Sequence, residues 1–68
     1  MSAHPEQREE IPFSVGDQVR FTFYGRIMEG RVVDVRKRSK RVRIEFKLKS
    51  GNTNRVWRRF DEVTKVGA

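Results

Sequence analysis

The clearest alternation in the chain runs through residues 41–49. Val42, Ile44, Phe46 and Leu48 are apolar, whereas Arg41, Arg43, Lys47 and Lys49 are basic. A strand turns successive side chains to opposite faces, so this period of two predicts a strand over 41–49, one face in a core and the other cationic. Val19, Phe21 and Phe23 alternate in the same way with Arg20, Thr22 and Tyr24, which predicts the first strand. The β-branched segment 31–36 predicts a second, with Val33 and Val35 inward. A fourth is expected over 54–59, then a helical or 3₁₀ turn at Phe60–Glu62 and a closing strand over 63–66.

Breakers fall between these segments. Ser14–Asp17 reads as a turn in which Gly16 can take positive φ and Asp17 can accept from nearby backbone amides. Gly25 and Gly30 bracket a connection, residues 36–40 form a tight cationic hairpin loop, and Ser50–Asn52 form another turn. No segment carries the 3.6-residue apolar period of a long helix. The fold class is therefore all-β: five short antiparallel strands in a small closed or half-open barrel. Its expected core is Val19, Phe21, Phe23, Val33, Val35, Val42, Ile44, Phe46, Val56 and Val63, with Phe13 and Phe60 plugging the barrel ends. Residues 1–12 are polar and aperiodic and read as a flexible leader, 13–66 as the barrel and 67–68 as a frayed C-terminus.

Composition narrows the chemistry. The 68 residues contain no cysteine and a single histidine, His4 in the leader, which excludes the usual zinc constellations; no metal or cofactor is expected. Asp17, Asp34, Glu45, Asp61 and Glu62 are scattered over turns and strands without a nucleophile–base pair, and no phosphate-cradling glycine loop is present, so no catalytic residues are assigned and a non-enzyme is expected. No apolar run approaches a membrane span and no signal-peptide pattern opens the chain. The expected location is intracellular, cytoplasmic or nucleoid-associated.

Charge decides the rest. The net charge is +7, and the leader, with Arg8 against Glu6, Glu9 and Glu10, leans acidic, so the body carries the whole excess. Between Arg36 and Lys49 the only acid is Glu45. A positive stripe held by a strand suits a polyanion, and nucleic acid is the first candidate partner. The candidate contacts are Arg36, Lys37, Arg38 and Lys40 in the hairpin and Arg41, Arg43, Lys47 and Lys49 on the third strand. Arg55, Trp57 and Arg59 join them on the fourth strand, an indole between two arginines that can stack on bases while the guanidinium groups meet phosphates. Tyr24, beside Arg20 on the first strand, is a second candidate stacking ring. The competing expectation for each charge is a solvated sheet face, and for Trp57 a place in the core.

The segments Val15-Gly16-Asp17-Gln18-Val19, Gly30-Arg31-Val32-Val33, Arg41-Val42-Arg43-Ile44-Glu45-Phe46 and Phe60-Asp61-Glu62-Val63, with Gly25, Gly51-Asn52 and Val56, resemble the SH3-like barrels of the Tudor and KOW type. The resemblance covers residues 13–66 and implies a five-stranded SH3-like barrel with a 3₁₀ turn before the last strand. It also implies that Val56 points inward, so that Arg55, Trp57 and Arg59 share the outer face of the fourth strand. Families of this type divide between nucleic-acid binders and readers of methylated side chains, which enclose a cation in an aromatic cage. Here Tyr24 and Trp57 both have arginine neighbours, and the basic excess points to the nucleic-acid branch: a largely sequence-tolerant module, with duplex DNA ahead of RNA. The alternatives are a Tudor-like module for an acidic or methylated peptide, or a subunit of a ribonucleoprotein complex.

Overall fold

A computed structural model of the chain describes residues 11–66. Five strands account for most of them: β1 (Gln18–Phe23), β2 (Arg26–Arg36), β3 (Arg41–Lys47), β4 (Thr53–Arg59) and β5 (Val63–Lys65), with a 3₁₀ turn at Phe60–Glu62. All pairings are antiparallel and the order across the sheet is β4-β3-β2-β1-β5. Residues 1–10 of the expected leader, including His4, and the expected frayed end at 67–68 lie outside the described residues.

The sheet curls because its apolar residues lie on one face. A flat sheet would hold β1 and β3 about 10 Å apart, yet the Phe21 and Phe23 rings of β1 stand 5.0 and 4.9 Å from that of Phe46 on β3. Phe13, Val19, Phe21, Val32, Val42, Ile44, Phe46 and Val63 form one buried cluster, with Phe23, Val35, Val56 and Phe60 packed against it. Each buried side chain of the cluster contributes about 1.5–3 kcal/mol by leaving water, and the partly buried ones less. Phe13 and Phe60 meet with ring centroids 5.7 Å apart, so both close one end rather than opposite ends.

The result is a half-open barrel, since the terminal strands of the sheet, β4 and β5, share no ladder. Arg58 bridges β4 to β1. Its Nη1 donates to Trp57 O at 2.9 Å, its Nε and Nη2 to Thr22 O at 3.3 and 3.2 Å, and its guanidinium carbon lies 5.8 Å from the Phe21 ring centroid. One side chain thereby satisfies carbonyls on two strands that have no ladder bond between them at this point.

Two expectations for β2 are corrected. Residues 25–30 are not a connection. Tyr24 (φ 51°) and Gly25 (φ 77°) alone make the turn, and β2 begins at Arg26. Positive φ at both central residues matches the right-handed strand twist in a two-residue hairpin. Gly30 is instead an interior strand residue at a close approach: a Cβ there would lie 2.6 Å from Glu45 O and 2.7 Å from Ile44 Cγ2. The second correction is Val33. The β2–β3 register shifts between Val32 and Asp34, so Val33 is the extra residue of a bulge, and Val32, fully buried opposite Ile44, takes the expected core place. Val35 keeps its inward direction opposite Val42.

Candidate nucleic-acid interface

The outer face of β2, β3 and β4 is built by register. Arg36 stands beside Arg41, which stands beside Arg59; Asp34 beside Arg43 beside Trp57; Arg31 beside Glu45 beside Arg55; and Lys47 faces Thr53. These residues reach one surface because Val42, Ile44 and Phe46 hold the opposite face of β3 in the core. On β2 the bulge has the same effect. With one extra residue at Val33, both Val32 and Val35 point inward, and Asp34 and Arg36 are turned outward.

The hairpin loop continues this face at one end. Lys37–Lys40 closes with the Lys40 amide donating to Lys37 O at 3.2 Å, and Lys40 adopts φ 57°. Lys40 O in turn accepts from the Phe60 amide at 2.9 Å, fixing the loop to the 3₁₀ turn. A shallow concavity of about 680 Å³ is lined by Arg36, Lys37, Arg38, Ser39 and Lys40 with Val35.

Trp57 lies on this outer face and is half-buried there. What covers it is cationic: the guanidinium carbons of Arg36 and Arg43 stand 5.4 and 5.7 Å from the ring centroid. Arg55 and Arg59 share this face with Trp57, but the cations over the ring come from β2 and β3. Arg55 pairs with Glu45 at 3.1 Å, and Arg59 with Asp61 at 3.6 Å and Glu62 at 3.9 Å. A cross-strand neighbour stands closer to a ring than residues two places along the strand, so β3 and β2 supply the cations. The Arg55 and Arg59 pairs are solvent-exposed, hold by no more than about 1 kcal/mol, and can exchange a carboxylate for a phosphate.

The remaining candidates divide by position. Among the described residues, no carboxylate within 4 Å pairs with Arg41, Arg43, Lys37, Arg38 or Lys40. Lys47 ends β3 at the other end of the face, and Lys49 lies in the following turn rather than on the strand as expected, because β3 stops where Gly51 N–H bonds back to Leu48 O. Tyr24 is not brought to the interface. It occupies the β1–β2 turn, 89% exposed, with its ring 4.5 Å from Phe23, at the opposite end of β2 from the Lys37–Lys40 loop. Outside the expected set of contacts, Arg31, Glu45 and Asp34 also belong to the face, and Asp34 Oδ2 lies 3.5 Å from Arg36 Nε. With Val33 and Val35 read inward, parity already turned Asp34 outward beside Arg36, whereas the hidden bulge masked Arg31, which the same parity turned inward.

Among the described residues no group of three or more acidic, histidine or cysteine side chains is placed to hold a metal, and no helix is long and apolar enough to cross a membrane. Residues 12–66 match the family described as Domain of unknown function (DUF7205), and the chain belongs to that family. No curated protein and no solved structure matches it.

Proposed function

We propose that this DUF7205 member is a non-catalytic, largely sequence-tolerant nucleic-acid-binding module of the SH3-like, Tudor/KOW type that holds duplex DNA inside the cell through its phosphates. The observation that carries the reading is the convergence of Arg36, Arg41 and Arg43 with the Lys37–Lys40 loop on one side of the barrel, where Arg41 and Arg43 meet no described carboxylate. Phosphate contacts position a protein on the duplex without carrying sequence information, so the reading is of backbone recognition. A methyl-cation cage gains no support: among the described residues no other aromatic ring pairs with Trp57.

Each neutralised phosphate releases counterions, so affinity should fall steeply with salt. Six contacts from Arg36, Lys37, Arg38, Lys40, Arg41 and Arg43 correspond to a log–log slope of about −5 on duplex DNA. Fluorescence anisotropy with a labelled random-sequence duplex over a salt series measures it. A slope near zero, or binding that survives high salt unchanged, would sink the mechanism.

A further inference from the structure

We infer, resting on the reading just given, that Trp57 is a positioning residue: its indole holds the guanidinium groups of Arg36 and Arg43 as a fixed pair for phosphate oxygens and does not stack on bases. The ligand is then recognised as a double-stranded backbone in preference to an unpaired strand.

The ring is already engaged. Two guanidinium carbons lie within 5.7 Å of its centroid, and it is half-buried on a face that would otherwise be open. A base could stack there only by displacing a cation that is itself attracted to the ring. Single-strand binders also use several rings for successive bases, whereas the exposed Tyr24 stands at the far end of β2.

The arginines are held in a way that suits phosphate. Arg43 lies directly across from Trp57 in the β3–β4 register, and Arg36 reaches the ring from β2 because the Val33 bulge turns it outward. Asp34 sits beneath Arg36 as a fixed anchor. Its Oδ1 accepts the Val35 amide at 2.8 Å, while Oδ2 faces Arg36 Nε at 3.5 Å. The Arg36–Asp34 pair is solvent-exposed, with side chains 62% and 43% exposed, and is weak enough for the guanidinium to turn to a phosphate. A guanidinium pair ordered before binding loses less freedom when the ligand arrives, so the tryptophan contributes affinity without touching it.

Trp57 is the only tryptophan in the chain, so its emission reports this position alone. Intrinsic fluorescence titrations would use a short random-sequence duplex, an oligothymidylate of equal phosphate count, and inorganic polyphosphate, which has no bases. The duplex should bind more tightly than the oligothymidylate, with an emission change no deeper than polyphosphate produces. Trp57→Leu, checked for folding by thermal melt, should weaken duplex binding about fivefold. It should add no further loss in an Arg36→Gln/Arg43→Gln background, because the indole acts only through those two side chains. If Trp57→Leu does not fold, the quenching comparison on the unaltered protein still decides. Oligothymidylate binding as tightly as duplex with deep quenching, or an equal penalty for Trp57→Leu in both backgrounds, overturns the inference and leaves nucleic-acid binding standing. Failure of all three probes to bind at low salt removes both.

Discussion

β2 and β3 lie side by side, yet they are built by different rules. β3 alternates without interruption: Val42, Ile44 and Phe46 are 0, 0 and 3% exposed, and every intervening residue faces outward. β2 must serve β1 with its first half and β3 with its second, and it manages this with two local irregularities. At Gly30 the absence of a side chain lets the strand press against Glu45 O and Ile44 Cγ2; at Val33 an inserted residue resets which face each side chain takes. The regular strand supplies the core and the cations Arg41 and Arg43, which no carboxylate among the described residues pairs. The irregular one brings Asp34 and Arg36 over to them. A cationic surface of this kind needs both, since alternation alone on β2 would have turned Arg36 inward once Val32 was buried.

The sharpest way to test that division is to damage the regular strand. Phe46 contacts Phe21 and Phe23 across the barrel and is 3% exposed, so Phe46→Ala should cost about 3–5 kcal/mol, a large part of the stability of a domain this size. Thermal and urea melts followed by circular dichroism would register it. A loss below about 1 kcal/mol would mean that the β3 face is not the packing centre.

A smaller effect is expected on β2. Gly30→Val places a branched side chain where even a methyl meets a backbone oxygen at 2.6 Å, so the strand must move away from β3. Overpacking of this kind costs about 1–3 kcal/mol. It should also loosen the register that sets Arg36 beside Arg41, so duplex affinity should fall with stability in the same titration series. An unchanged melting temperature would show that β2 bends without needing glycine there.

The same contrast explains what was legible in the sequence. The β3 core positions follow from a strict period of two and the 3₁₀ turn at Phe60–Glu62 from a short polar break, whereas the β4 face with Val56 inward and Trp57 outward was implied by the resemblance to SH3-like barrels. The bulge is invisible to periodicity because Val32, Val33 and Val35 are equally apolar, and either parity of that run reads as a strand. The turn at Tyr24–Gly25 was hidden by Tyr24, a bulky residue at φ 51° where asparagine or glycine is the usual signal. The cover on Trp57 was out of reach for a different reason. It depends on which residues stand across the strands, and one-strand patterns name only the neighbours along the chain, Arg55 and Arg59.

The smallest expected effect concerns what steadies β2 just before its bulge. Val32 is held on the β1 side by the Ser14–Asp17 turn, donating to Asp17 O at 2.9 Å and accepting from the Gly16 amide at 2.8 Å. That turn is closed by the Asp17 carboxylate, whose Oδ2 accepts the Ser14 amide at 2.9 Å and lies 3.4 Å from Lys65 Nζ on β5. The Ser14 amide, with a further contribution from Lys65, holds the Asp17 carboxyl below its ordinary value of 3.8. A carboxylate depressed in the folded state stabilises the fold above its unfolded pKa, and that contribution disappears as pH falls through the folded one. Asp17→Asn should therefore be less stable than the unaltered chain near neutral pH, and the two should converge in acid below the ordinary aspartate range. Paired urea melts across that pH range test it. A gap that stays constant into strong acid would mean that the ionised carboxylate does not steady the turn, and that β2 keeps its bulged register without it.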